Sequence, residues 1–142
     1  MNELTCIQLK SQLSELTQLT EVVKAFGEEN GLAMKEIFNL NLVLDELVTN
    51  IIQYGYEGAD GNVIRIRLWL EGSWIRVELT DDARPFNPLT ACPANLDTSL
   101  QERAVGGLGI HMVRELMNEV NYRRVGDRNI LSLGKRQSVP TR

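Results

Sequence analysis

The sequence predicts an α+β domain: a two-layer sandwich in which a mixed, mostly antiparallel sheet carries helices on one face. Three observations lead there. The stretch NVIRIRLWLEGSWIRVELTD, residues 62–81, alternates apolar and polar residues on both sides of a Gly-Ser pair, as a half-buried antiparallel hairpin does. Two segments before it, 11–30 and 34–54, repeat apolar residues at helical spacing. The resulting order, β-α-α-β-β-loop-α-β-β, does not alternate strand and helix strictly, so a purely parallel doubly wound sheet does not fit.

Each element has its own signal. LTCIQLK, residues 4–10, alternates in part and reads as a first strand. Ser11 stands where an N-cap belongs, Leu13, Leu16, Leu19, Val22, Val23 and Phe26 recur behind it, and Gly27 or Gly31 closes the helix. The second helix runs from Met34 to Tyr54 with Gly55 as its stop, and Leu40, Leu44, Leu47 and Ile51 form the stripe expected on the sheet. In the hairpin, Val63, Ile64, Ile66, Leu68 and Leu70 face Ile75, Val77 and Leu79. The region from Asp81 to about Gly107 holds Pro85, Pro88 and Pro93 and reads as a long irregular loop, a length common for lids. LGIHMVRELMNEV resumes as helix, VNYRRVGDRNILSL closes as a second hairpin at Gly126-Asp127, and the tail from Gly134 reads as frayed. One domain over residues 1–136 with a tail at 137–142 accounts for the chain.

The totals narrow the function. A length of 142 residues supports a single core without disulfides. A net charge of -4 argues against a general nucleic-acid binder, which needs a basic face. An ATP ligand remains open, because backbone N–H groups can hold phosphates. Cys6 and Cys92 lack metal-site or CxxC spacing and fit a reducing cytosol. No basic-then-apolar leader and no membrane-length apolar run is present in the sequence, so a cytoplasmic protein is expected.

Three short stretches carry chemistry. Glu46 and Asn50 lie one turn apart in an otherwise apolar helix and point the same way, flanked by Leu42 and Val43. They read as polar groups at the floor of a cleft; taken alone, they also read as an exposed strip that happens to hold a Glu and an Asn. ELTDDARPFNP ends a strand at Asp81, where a carboxylate at the lip of the sheet can accept from an amine-bearing ligand. Asp is equally common there as a turn starter. Ala83 permits close approach, and Phe86 supplies an apolar wall. AVGGLGIHMV places Gly106, Gly107 and Gly109 directly before a helix, an arrangement that suits an anion but lacks the P-loop spacing. His111, just after them, reads as a packed or surface residue, and Arg123 and Arg124 as solvated strand residues.

Taken in order, these stretches resemble the ATP-binding fold shared by histidine kinases, gyrase-type ATPases and Hsp90-type chaperones. Within it they resemble the single-domain anti-sigma factors that are also protein serine kinases. LDELVTNIIQYGY is similar to the asparagine box, DDARPFNP to the first glycine box, and GGLGIHMVRELMNEVNYRR to the second with its following helix and strand. The resemblance implies ATP and Mg²⁺ as cofactors, with Asn50 as the side-chain ligand of Mg²⁺ and Glu46 as general base toward a serine hydroxyl. It implies Asp81 as acceptor of the adenine amino group beside Ala83 and Phe86, and Gly106, Gly107, Leu108 and Gly109 at the end of a lid over the phosphates. The implied partners are a STAS-domain antagonist phosphorylated on serine, a sigma factor or other effector, and a second copy of the chain near Cys6, with no nucleic acid and no membrane. The alternative is a non-catalytic ATP-binding module that regulates a partner protein. Four positions depart from the family pattern: Ala83 replaces a glycine, Gln53 a histidine, and Asn129 a threonine, while Arg103 is displaced from the lid glycines.

Overall fold

The computed structural model describes residues 4–90 and 109–137. Strand β1 is Thr5–Lys10. A 3-10 turn at Leu13–Glu15 leads into helix α1, Leu16–Glu29. Helix α2, Met34–Asn50, continues without a break into a π-helical turn at Ile51–Gly55. Strands β2 (Val63–Glu71) and β3 (Trp74–Asp81) follow, then a 3-10 turn at Pro88–Thr90. Helix α3 covers 109–116, and β4 (Glu119–Val125) and β5 (Arg128–Arg136) complete the sheet.

The sheet order is β1-β2-β3-β5-β4, and every pairing is antiparallel. The sequence predicts a mostly antiparallel sheet, and the described strands are antiparallel throughout, because two tight hairpins and two long returns set all neighbours head to tail. Both hairpin turns hold two residues, closing on the pairs Glu71↔Trp74 and Val125↔Arg128. Gly72 and Gly126 take φ of +60° at the first turn position, which a residue with a Cβ adopts only under strain.

Period-two burial shows why one face carries the helices. Ile64, Ile66 and Leu68 of β2 and Ile75, Val77 and Leu79 of β3 are buried, while Arg65 and Arg67 between them are exposed. Against that face pack Leu19, Val23 and Phe26 of α1, the predicted stripe Leu40, Leu44, Leu47 and Ile51, and Ile110 and Val113 of α3. Each fully buried leucine of this set contributes about 1.5–3 kcal/mol relative to exposure. Val63 departs from the expected apolar set: it precedes Ile64, so the pleat turns it to the open face, 41% exposed.

Several boundaries differ from the sequence reading. Ser11 does not cap α1, whose cap position makes no side-chain bond. Its Oγ instead donates to the Ala59 carbonyl at 2.8 Å and accepts the Asn62 N–H at 3.1 Å, tying the end of β1 to the loop before β2. Gly31, at φ +70°, follows the helix end, whereas Gly27 lies within α1 against Ile37. The third helix stops at 116, and Glu119 and Val120 belong to β4. Gly134 is not the start of a frayed tail: it pairs with both Arg76 and Glu119, and β5 runs on to Arg136. Residues 138–142, most of the expected tail, lie outside the described residues, as do Cys92, Pro93 and Arg103.

Candidate functional site

The site is built along one continuous helical element, α2 and its π turn. Asn50 is 4% exposed and Glu46 half-buried, so the reading of an exposed strip does not hold for Asn50. The Asn50 Nδ2 donates to Glu46 Oε2 at 3.1 Å. A carboxylate only accepts, so the amide nitrogen must face it and the amide oxygen is left for another partner. Burial raises the Glu46 carboxyl above its ordinary range, and the Asn50 N–H partly opposes this.

Helix α3 comes directly against this pair. A Cβ placed on Gly109 would lie 2.2 Å from Glu46 Cδ and Oε2, and 2.5 Å from Oε1. Only a glycine backbone approaches the carboxylate so closely. An open cleft of about 490 Å³ beside them is lined by Leu42, Asp45, Glu46, Thr49, Gly109 and Met112. Asp45 Oδ1 is buried there without a hydrogen-bond partner among the described residues, and burial raises this carboxyl as well. Gly106, Gly107 and Leu108 lie outside the described residues. His111 is exposed and pairs with Glu115 at 3.1 Å on the outer side of α3.

The π turn carries the helix into the second half of the site. Its i→i+5 bond, Tyr56 N–H to the Ile51 carbonyl at 2.9 Å, widens the last turn. This brings Tyr54 and Gly55 against the loop that follows β3. Arg84 donates from Nε and Nη2 to the Tyr54 carbonyl at 3.0 and 2.7 Å, satisfying an acceptor at the helix end. The Tyr54 and Phe86 rings lie 6.1 Å apart between centroids. A Cβ on Gly55 would meet the Ala83 methyl at 3.3 Å and Phe86 Cδ2 at 3.4 Å. The glycine of the helix end therefore makes room for the Ala83 methyl. Tyr56 donates to Asp82 Oδ1 at 2.6 Å and accepts the Asp82 N–H at 3.1 Å, fixing the neighbour of Asp81.

Asp81 itself is 5% exposed. Its Oδ1 accepts from Asn129 Nδ2 at 2.8 Å and from the Ala83 N–H at 3.0 Å, while Oδ2 has no hydrogen-bond partner among the described residues. Burial raises this carboxyl, the two donors pull it back, Asp82 adds to the rise and Arg124 lowers it. The structure thus gathers Glu46, Asn50 and Gly109 in one cluster and Asp81, Ala83 and Phe86 in another, joined by successive turns of α2.

Two residues bear on this site that the sequence reading did not name among its contacts: Asn129, noted there only as a departure from the family pattern, and Arg124. Asn129, 2% exposed, binds Asp81 and the 83–86 backbone at once. Arg124 is not a solvated strand residue: its Nη1 donates to the Ala83 carbonyl at 2.8 Å and to Asn129 Oδ1 at 3.2 Å. Arg123 does stay exposed. Alternation along β4 distinguishes the two in principle, since Arg124 falls in the inward register with Val120 and Tyr122, but a charged residue at a strand end gives no reason to prefer that register.

Comparison with known proteins identifies the family. The histidine kinase-like ATPase domain family matches residues 9–135. An anti-sigma F factor from Anoxybacillus flavithermus is 28% identical over 127 residues, 88% of this chain and 87% of that protein. An anti-sigma F factor from Bacillus thuringiensis is 30% identical over 111 residues, 78% of this chain and 76% of that protein. In fold, 99% of this chain matches the crystal structure of the RsbU and RsbW domains of Rv1364c from Mycobacterium tuberculosis, with a TM-score of 0.70 and 17% identity. The chain spans 34% of that longer protein. The histidine kinase domain from Erythrobacter litoralis EL346 matches over 86% of this chain and 60% of its own, with a TM-score of 0.53 and 18% identity.

Proposed function

The chain belongs to the histidine kinase-like ATPase family, in the branch that holds the anti-sigma F factors, and from that premise we propose that it is an ATP-dependent protein serine kinase acting by partner switching. The observation that carries this reading is the pairing of a buried amide and a half-buried carboxylate one turn apart, with the Gly109 backbone closing on the carboxylate. A solvated face needs no such arrangement.

In this reading Asp81 receives the adenine amino group on Oδ2, and Phe86 and Ala83 bound the base. The Asn50 amide oxygen fits Mg²⁺, which takes hard oxygen donors and keeps several waters, because the nitrogen end of the amide is already committed to Glu46. Bound Mg²⁺ supplies charge neutralisation on the transferring phosphoryl group. Glu46 accepts the proton of the attacking serine hydroxyl, and its raised carboxyl makes it a stronger base than an exposed glutamate. By the resemblance, Gly106, Gly107, Leu108 and Gly109 would stand at the end of a lid over the phosphates; the first three lie outside the described residues. The acceptor is a serine on a STAS-domain antagonist, whose phosphorylation frees the chain to hold a sigma factor or similar effector. We place it in the cytoplasm as a homodimer with one folded domain over 1–136; no helix among the described residues is long and apolar enough to cross a membrane.

Calorimetric titration with ATP, with and without Mg²⁺, tests the binding half. Wild type binds more tightly with Mg²⁺, Asn50→Ala loses the Mg²⁺ effect, and Asp81→Asn loses ATP. Incubation with a STAS antagonist and labelled ATP tests the transfer half: phosphoserine appears with wild type and vanishes with Glu46→Ala. Mg²⁺-dependent ATP binding without any transfer would instead establish a non-catalytic ATP-binding regulator.

A further inference from the structure

Asn129 has no task in the reading above, yet its surroundings determine it fully. It opens β5 in register with Asp81 of β3 and Arg124 of β4. Three donors converge on its Oδ1: the Phe86 N–H at 3.2 Å, the Tyr122 hydroxyl at 2.5 Å and Arg124 Nη1 at 3.2 Å. An amide nitrogen accepts from none of them, so the carboxamide has one orientation. Its Nδ2 then faces Asp81 Oδ1 at 2.8 Å and the Arg84 carbonyl at 2.9 Å. With the Ala83 N–H on the same oxygen, Asp81 Oδ1 is held as an acceptor from two sides.

We propose that Asn129 is a specificity-determining positioning residue whose locked carboxamide keeps Asp81 an acceptor toward the ligand, so that the site takes a 6-amino purine and rejects a 6-oxo purine. The inference rests on the adenine reading above. A 6-amino group donates to Asp81 Oδ2; a 6-oxo group would set its lone pairs against a carboxylate. Arg124 belongs to the same device, because it holds both Asn129 Oδ1 and the Ala83 carbonyl and brings positive charge beside Asp81.

The test is N129D, which is nearly isosteric. Its one oxygen still serves the three donors, but the other now meets Asp81 Oδ1, and two carboxylate oxygens at hydrogen-bond distance need a proton between them. With no amide N–H to hold Oδ1 as an acceptor, that proton can stand instead on Asp81 Oδ2, facing the ligand. The Kd of N129D for ATP should therefore rise as pH falls through the titration of the pair, a dependence that wild type shows only at lower pH. Over the same range the ATP preference over GTP should fall by about tenfold or more, the worth of one hydrogen bond turned to repulsion. If N129D does not fold, N129S, which keeps an O–H donor, should retain the ATP preference that N129A loses. Wild-type pH dependence and an unchanged ATP:GTP ratio in N129D, or equal ratios in N129S and N129A, overturn the inference while leaving the nucleotide site intact. A wild-type protein that binds neither nucleotide removes the adenine reading and this inference together.

Discussion

Gly109→Ala separates stability from chemistry at this site. The added Cβ would lie 2.2 Å from Glu46 Cδ, and ordinary contact begins near 3.4 Å, so the carboxylate must retreat by more than 1 Å. The atoms in the way are the far end of a flexible side chain, half-exposed on the cleft, so the retreat costs little folding free energy. Gly109 opens α3 instead of lying in its interior, so alanine there returns only part of the ~1 kcal/mol of an interior position. The melting temperature should therefore stay within a few degrees or rise slightly. The 3.1 Å bond from Asn50 does not survive the move, and a general base displaced by 1 Å loses about 10²-fold in rate. The assay is single-turnover transfer from ATP to a STAS antagonist, run beside a thermal melt and an ATP titration. A melt near wild type, retained ATP binding and a transfer rate down by about two orders of magnitude is the expected set. A G109A protein that transfers at the wild-type rate would falsify the assignment of Glu46 as base, because its carboxylate cannot occupy the same place.

Three further outcomes follow from the packing and the titrations. Ser11→Ala removes both hydrogen bonds of a hydroxyl that is 1% exposed, leaving the Ala59 carbonyl and Asn62 N–H short of a partner; urea unfolding should show a loss of about 1–3 kcal/mol at unchanged m. Gly27→Ala puts a Cβ 2.3 Å from Ile37 Cγ1 at the α1–α2 contact, and overpacking of about 1–3 kcal/mol should exceed the helix-propensity gain, lowering the urea midpoint. Asp81 carries a folded-state pKa above its ordinary 3.8, so the folded protein binds the extra proton. The stability of wild type relative to Asp81→Asn should thus be highest below pH 3.8 and fall as pH rises through the raised value; a difference that grows with pH in denaturant titrations would contradict the burial assigned to Asp81.

Much of this molecule was legible in its sequence because the relevant signals are local. Period-two alternation set β2 and β3 to within a residue, helical spacing set the stripe of α2, and the Glu46–Asn50 spacing alone placed both groups on one side of a helix. What was not legible depended on partners distant in the chain. Ser11 looked like an N-cap because serine before a helix usually is one, and only the return of residues 59–62 to the end of β1 gave its hydroxyl better partners. The π turn leaves no period in so short a stretch, yet it decides where Tyr54 and Gly55 meet the 83–86 loop.

By itself, then, the sequence determined the element order, the core faces, the family resemblance and the identity of the polar residues in α2, since each follows from neighbours within one turn or one strand. The tertiary structure alone decided that Asn129 and Arg124 stand behind Asp81 and that Gly109 meets Glu46. Sequence separations of 41 to 48 residues lie between Asp81 or Ala83 and the groups that orient them. The energy of those contacts is set by burial and hydrogen-bond direction, quantities that exist only once the sheet has closed against its helices.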